Sequence, residues 1–383
     1  MRLRTVVKLG TIVSVLLFCL AMGCYVLMRL DMTERDRGVN LFTYIPSDCV
    51  AVLETDNIHE VLDHTQMLNY SRELESFQFP RLFDFLLNGL NEYAKENAHG
   101  LSNQMGHMAV SFHQPGGSRD QVIYLRMGMA DERMLADMLE EYAHGNFLPK
   151  EEEYRGETIV VYPLGNDDFL ATYTEGSVWV ISYQKRLVEQ VIDAMLDDSS
   201  LADNEVFEQV MHRRKEKGFF TLYGRSVPMP FMALGEDCWS EYNIHMNSDV
   251  AYLTGSTFVS DDSSDVDAVM DVIREMEVVS EEGALLLSSD KDSTAWYMNR
   301  AFDENDFSHR TLFNQCVSNL ANDAAFTLVT DMEKVYEEPL RFQSYLPSFI
   351  LENTHLFRHF ILSAQLSLYN NRPSHIWVFT YKN

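Results

Sequence analysis

The sequence predicts an α+β fold of mostly antiparallel sheets covered by helices, preceded by one N-terminal transmembrane helix. Three observations lead to this prediction. Short apolar runs are separated by turn residues, amphipathic helical stretches alternate with those runs, and one long uncharged segment lies near the N-terminus. The strand-like runs also recur in a similar order, which indicates degenerate strand-helix-strand-strand repeats.

The uncharged segment runs from Leu9 to Met28 and is long enough to cross the hydrocarbon core of a bilayer as a helix. Basic residues and the free amino group precede it, which favours an orientation with the N-terminus inside. Its apolar run is too long for an ordinary cleaved signal peptide. Lipidation of Cys24 is the alternative, although the residues before Cys24 fit that pattern poorly. We therefore expect a single-pass protein of the inner (cytoplasmic) membrane, with its C-terminal domain in the periplasm or outside.

The chain is expected to have five parts, divided by charge and apolar content. These are a cytoplasmic tail (1–8), a transmembrane signal anchor (9–30), a polar stalk (31–42) and two outer α+β subdomains (43–216 and 217–383). A tail this short cannot fold by itself. This length excludes a receptor that signals through its own cytoplasmic domain.

The charge of the chain limits its partners. The formal net charge is −28, from 30 basic and 58 acidic residues. A surface this negative repels nucleic acid and anionic lipid head groups. We therefore expect no nucleic-acid partner, and we expect protein partners that are basic or neutral.

The elements of the outer part follow from apolar spacing. Strands are expected at residues 49–55, 105–112, 121–129, 157–164, 169–174, 177–183, 219–223, 251–259, 284–288, 294–300, 324–330, 357–368 and 375–382. Helices are expected at residues 57–69, 80–96, 131–144, 184–196, 204–215, 266–277 and 309–320.

Two of these strands resemble each other in sequence. The ten residues that end at Asp56 align with the ten that end at Asp331, and Asp, Leu, Thr and Asp recur at matching places. Each copy precedes a helical region and then a long hairpin. The run at 219–223 is a candidate start of a middle copy.

A further stretch carries a family resemblance. Ser200-Leu-Ala-Asp-Asn-Glu-Val-Phe207 follows an amphipathic helix, and Ile45-Pro-Ser-Asp opens the outer part after the anchor. Both features resemble a bacterial family known as domain of unknown function 3352. The resemblance implies a membrane-anchored envelope protein and supplies no catalytic residues.

No pattern in the sequence predicts a catalytic, cofactor or metal site. His59 and His64 lie five positions apart, so the two rings diverge on a helix instead of facing one metal ion. The acidic run 261–267 lacks the glycine and terminal glutamate of a calcium loop. We therefore expect no catalytic residues, no cofactor and no bound metal.

The outer cysteines leave one question open. Cys49, Cys238 and Cys316 are far apart in sequence and odd in number, so at most one disulfide can form among them. The sequence does not decide whether any two of them pair.

A proline-rich apolar stretch is the candidate contact surface. Met229 lies between Pro228 and Pro230, and Phe231 and Met232 follow directly, shortly before Trp239. Exposed Met and Phe on a loop can bind a partner adaptably, whereas core packing is the alternative role.

These observations favour a non-catalytic binding or scaffold protein of the cell envelope, which contacts the membrane through Leu9–Met28 and other envelope proteins through its outer part. The first alternative is a carrier or chaperone-like module that holds a small apolar ligand. The second is a hydrolase whose site the sequence does not reveal.

Overall fold

The computed structural model describes residues 39–56, 58, 61, 67–71, 86, 89, 107–117, 119–127, 131–142, 148–164, 168–213, 219–232, 238–259, 264–276, 279–281, 284–288, 310–321, 324–369 and 372–382. The predicted anchor, most of the predicted helices at 57–69 and 80–96, and the predicted strand at 294–300 lie outside these residues. Among the helices that are described, none combines the length and the apolar character needed to cross a bilayer.

The described strands form one antiparallel sheet. In chain order they are β1 (Ala51–Thr55), β2 (Met108–Phe112), β3 (Gln121–Arg126), β4 (Lys150–Tyr154), β5 (Glu157–Pro163), β6 (Phe169–Glu175), β7 (Val178–Ser182), β8 (Phe220–Gly224), β9 (Cys238–Met246), β10 (Val250–Val259), β11 (Val279–Glu281), β12 (Ala284–Ser288), β13 (Phe326–Asp331), β14 (Phe360–Tyr369) and β15 (Arg372–Tyr381). Across the sheet the order is β11-β12-β13-β14-β15-β10-β9-β8-β1-β2-β3-β7-β6-β5-β4.

The antiparallel α+β prediction is therefore confirmed, with one difference. The strands form a single continuous sheet, whereas the sequence predicted several sheets. Two strand pairs, β1–β8 and β10–β15, connect parts of the sheet that are distant in sequence. Strands of both predicted subdomains lie in this sheet, and the boundary near residue 216 stays a prediction.

One arrangement of three strands occurs three times in the sheet. A first strand is followed by a connection and then a hairpin, and the first strand pairs with the first strand of that hairpin. The three sets are β1-β2-β3, β8-β9-β10 and β13-β14-β15.

The helices cover both faces of the sheet. They are α1 (Asp131–Tyr142), α2 (Lys185–Leu196), α3 (Glu205–Arg213), α4 (Ser264–Glu275), α5 (Arg310–Ser318), α6 (Met332–Glu337), α7 (Ser348–Glu352) and α8 (Thr354–Phe357). Short 3₁₀ turns at Leu41–Thr43, Leu201–Asp203 and Pro339–Phe342 add to the covering.

Alternation along the strands decides which helix covers which face, because successive side chains point to opposite sides. In the N-terminal half, α2 and α3 pack with Val52 and Tyr223 on one face, while α1 packs with Val110 and Ile123 on the other. In the C-terminal half, α5 packs against Val329 on one face. The opposite face is covered by α4 and α6–α8. Each face of the sheet therefore carries a buried apolar layer.

The two stretches that carry the family resemblance touch each other. The Leu201 amide donates to the Ile45 carbonyl at 2.6 Å, and the Ser47 amide donates to the Ser199 carbonyl at 3.2 Å. The side chains of Ser200 and Asp203 cap the intervening 3₁₀ turn reciprocally. These stretches therefore have a structural role, because their contacts fasten the residues before β1 to the turn that follows α2.

Candidate functional site

Three polar side chains converge where β1 ends and β2 begins. In the register, Thr55 lies opposite Met108, so Glu54, Asp56 and His107 project to the same face. His107 Nε2 lies 2.7 Å from Glu54 Oε1 and 3.5 Å from Asp56 Oδ1. We call these three residues the β1–β2 cluster.

Burial differs sharply within the β1–β2 cluster. The Glu54 side chain is 1% exposed, whereas His107 is 19% and Asp56 25% exposed. The Tyr223 hydroxyl donates to the second Glu54 oxygen at 3.1 Å. Burying a carboxylate is costly unless it is hydrogen-bonded and paired with positive charge. The cluster thus combines a buried, oriented carboxylate with two groups that solvent reaches.

The cluster's donor atoms lie close enough together to hold a metal ion. One nitrogen and two carboxylate oxygens lie within 4.8 Å of one another. Imidazole and carboxylate are ordinary ligands of zinc and of related divalent cations. The sequence prediction of no metal missed this set, because β-strand pairing brings together residues that are 53 positions apart.

A second ionic cluster lies at the end of β13. Lys382 Nζ is 2.6 Å from Asp331 Oδ1 and 3.4 Å from Glu333 Oε2. Asp331 also caps α6 by accepting the Glu333 amide hydrogen at 2.9 Å. Lys382 and Asp331 are both buried. We call this set the Lys382 cluster.

A third set looks like a hydrolase triad. The Ser111 hydroxyl lies 2.8 Å from His113 Nε2, and Asp48 lies 3.8 Å from His113 Nδ1. The Tyr124 hydroxyl is 3.1 Å from Ser111 Oγ. Ser111 and Tyr124 are fully buried, and burial lowers the pKa of His113 and raises that of Tyr124. A substrate cannot reach this serine, so we interpret the set as a polar network of the core.

His375 shows how closely the sheet packs. Its Nε2 donates to the Glu241 carbonyl at 3.1 Å, and its ring lies 4.4 Å from that of Tyr242. Gly255 lies opposite in β10, where a Cβ atom would come within 1.6 Å of the same carbonyl oxygen. Burial lowers the pKa of His375 to about 3, so the ring is neutral at physiological pH.

The predicted contact residues lie mainly in the interior. Met229 and Met232 are buried in the core below β13, with Phe231 partly buried against them. Trp239 is buried on β9, where its ring packs 5.1 Å from that of Phe207. These four side chains pack the core and do not form the exposed loop surface that the proline pattern suggested.

Other exposed apolar side chains do occur. Leu340 is 78% and Phe349 58% exposed, and Tyr336 on α6 is about half exposed. They lie in the segment 332–359, which carries four acidic and three basic residues in an otherwise strongly acidic chain. Apolar side chains in a nearly neutral segment can be approached without the electrostatic repulsion of the surrounding surface.

The three cysteines among the described residues are free thiols. Cys49, Cys238 and Cys316 are buried and form no disulfide in the structure. Burial raises the pKa of Cys49 to about 12 and also raises that of Cys316. These two thiols are therefore poor nucleophiles at neutral pH.

Comparisons with known proteins found no match to a protein-family model, to a curated protein or to a solved structure. The resemblance to domain of unknown function 3352 therefore stays a prediction.

Proposed function

We propose that the chain is a non-catalytic binding or scaffold protein, anchored in the inner membrane by Leu9–Met28 with its outer part in the periplasm or outside. One observation carries this proposal: an uncharged segment of membrane-spanning length is preceded by basic residues and followed by a long acidic domain.

We also propose that the three sets of three strands are degenerate repeats. The aligned ten-residue segments that end at Asp56 and Asp331 contain the first strands of two of these sets.

The segment 332–359 is the part of the outer domain that best suits contact with another envelope protein. Its exposed Leu340 and Phe349 supply apolar contact area. Its balanced charge suits a neutral or basic partner surface, whereas the rest of the outer part favours strongly basic partners. This segment takes the place of Met229, Phe231, Met232 and Trp239 as our candidate contact surface.

Membrane fractionation tests the anchor. We expect the full chain to sediment with membranes, to resist extraction by high salt and alkaline carbonate, and to be released by detergent. Protease added to spheroplasts should digest the outer part. Recovery of the full chain in the soluble fraction after lysis would contradict the proposal.

Photo-crosslinking in intact cells tests the contact surface. A photoreactive residue at position 340 or 349 should give crosslinked proteins that mass spectrometry can identify. Position 196 is the matched control, because Leu196 is also exposed but lies on α2 between Asp193 and Asp197. Equal crosslinking from positions 196, 340 and 349, or none from any of them, would count against this surface.

A further inference from the structure

The β1–β2 cluster places three candidate metal-ligand atoms within 4.8 Å of one another. A tetrahedral zinc ion with bonds of about 2.0–2.1 Å has ligand atoms roughly 3.3 Å apart. The separations from His107 Nε2 to Glu54 Oε1 and Asp56 Oδ1 are 2.7 and 3.5 Å, and they bracket that value.

The residue type at position 54 is unusual for its place in the sheet. The aligned residue of the last copy is Val329, which is fully buried and packs in an apolar cluster. Glu54 is equally deep, although burying a carboxylate is costly unless positive charge compensates it. A divalent cation between Glu54 and Asp56 would add positive charge beside the His107 ring and the Tyr223 hydroxyl, which already contact Glu54.

The surroundings of Glu54 match the outer shell of a metal site. The Tyr223 hydroxyl holds the second oxygen of Glu54 at 3.1 Å, which fixes the orientation of the carboxylate. Tyr223 is itself fixed by ring contacts with Phe42 and Phe207. One ligand is therefore held rigidly before any ion arrives.

The cluster is also open enough for an ion to enter. His107 and Asp56 are each partly exposed, so the ion can reach the buried Glu54 oxygen from their side. Three protein ligands leave a fourth position for water. Calcium suits the set poorly, because it requires six to eight oxygen ligands.

We propose that Glu54, Asp56 and His107 bind one divalent transition-metal ion per chain, with Zn²⁺ as the first candidate. The ion fastens the end of β1 to the start of β2. This inference is independent of membrane anchoring and of the segment 332–359.

Isothermal titration of the detergent-solubilised full chain with ZnCl₂, after chelator treatment and dialysis, tests the proposal. We expect one site per chain with micromolar or tighter affinity. His107→Gln and Asp56→Asn should each weaken that site at least tenfold. Both residues are partly exposed and both replacements keep the approximate shape, so circular dichroism should show that the variants fold.

The matched control is His212→Gln. His212 is highly exposed and lies 3.2 Å from Glu208, so it provides a histidine–carboxylate pair on the surface of α3. This variant should bind zinc with unchanged affinity. The proposal is overturned if the wild-type chain binds no stoichiometric zinc. Stoichiometric zinc that His107→Gln and Asp56→Asn leave undisturbed overturns it equally.

Discussion

The β1–β2 cluster and the Lys382 cluster occupy corresponding places but neutralise their carboxylates differently. Asp56 follows β1 directly and Asp331 ends β13, and the two residues align in the sequence. At Asp331 the positive group is the buried ammonium of Lys382. At Asp56 the neighbouring group is the imidazole of His107.

The difference lies in what each cationic group can do besides pairing. A protonated lysine has donors and no free electron pair, so it completes an internal ion pair and leaves no place for a metal ion. An imidazole can give its nitrogen lone pair to a metal. The comparison therefore predicts a stabilising ion pair at β13 and a ligand-binding site at β1.

Lys382→Met should have the largest effect on stability. It leaves Asp331 buried beside Glu333 without the ammonium, and breaking a buried ion pair on one side costs about 3–5 kcal/mol. Urea unfolding of the detergent-solubilised full chain measures this loss. Lys150→Met is the control, because Lys150 is highly exposed in its pair with Glu152, and no measurable change is expected. Equal decreases in the free energy of unfolding of the two variants would contradict the role of a buried stabilising ion pair at β13.

Zinc should stabilise the chain through the β1–β2 cluster alone. At a free concentration one hundred times the dissociation constant, an ion that binds only the folded state adds about 2.7 kcal/mol to the free energy of unfolding. Urea unfolding with and without ZnCl₂ measures this gain. The gain should fall to about 1.4 kcal/mol or less in His107→Gln, because the site is at least tenfold weaker there, and it should persist unchanged in Lys382→Met. A gain of the same size in His107→Gln would show that zinc acts elsewhere.

His375 is a buried histidine that donates to a backbone carbonyl, so it can be compared with His107, which contacts carboxylates. Its pKa is lowered to about 3 in the folded chain, so below pH 6.5 the unfolded chain binds a proton that the folded chain does not. This group should therefore remove roughly 2 kcal/mol of stability between pH 7 and pH 5. Urea unfolding at both pH values, compared between wild type and His375→Gln, isolates the contribution. An equal pH dependence in both proteins would argue against a neutral buried ring.

Glu54→Val should have the smallest effect in the absence of metal. It places at β1 the residue that β13 has at Val329, and it removes the cost of burying a carboxylate. That gain offsets the lost Tyr223 hydrogen bond, and the histidine left behind, His107, is partly exposed to solvent. We expect a change within about 1 kcal/mol by urea unfolding, together with loss of the zinc effect. A large loss of stability without zinc would show that Glu54 serves the fold rather than a ligand.

The positions of many strands along the chain could be predicted from local patterns. The run before Asp331 and the final hairpin are continuous apolar or alternating segments, and β13, β14 and β15 lie within a few residues of the predicted positions. Three strands escaped prediction, namely β4, β9 and the three-residue β11. The segment of β4 is almost entirely charged, and β9 places Glu241 and Asn243 on the same side as Trp239, which hides the alternation of polarity.

The candidate site could not be predicted, because its ligand residues are brought together by strand pairing and are not close in the sequence. Glu54 and His107 come together only when β1 pairs with β2 in a particular register. The one local signal was Glu54 itself, an acid within an apolar strand. The histidines that the sequence brought to attention, His59 and His64, lie outside the described residues.

The ends of the sheet bear on how copies of this chain behave when crowded together. The last strands described at the two ends are β4, which carries a lysine and three glutamates, and β11, which has three residues. An unpaired strand edge can template the addition of a strand from another molecule, and charge and shortness both discourage that addition. Copies held in a membrane plane by the proposed anchor would meet often. These two edges would then keep tethered copies from joining sheet to sheet into fibres.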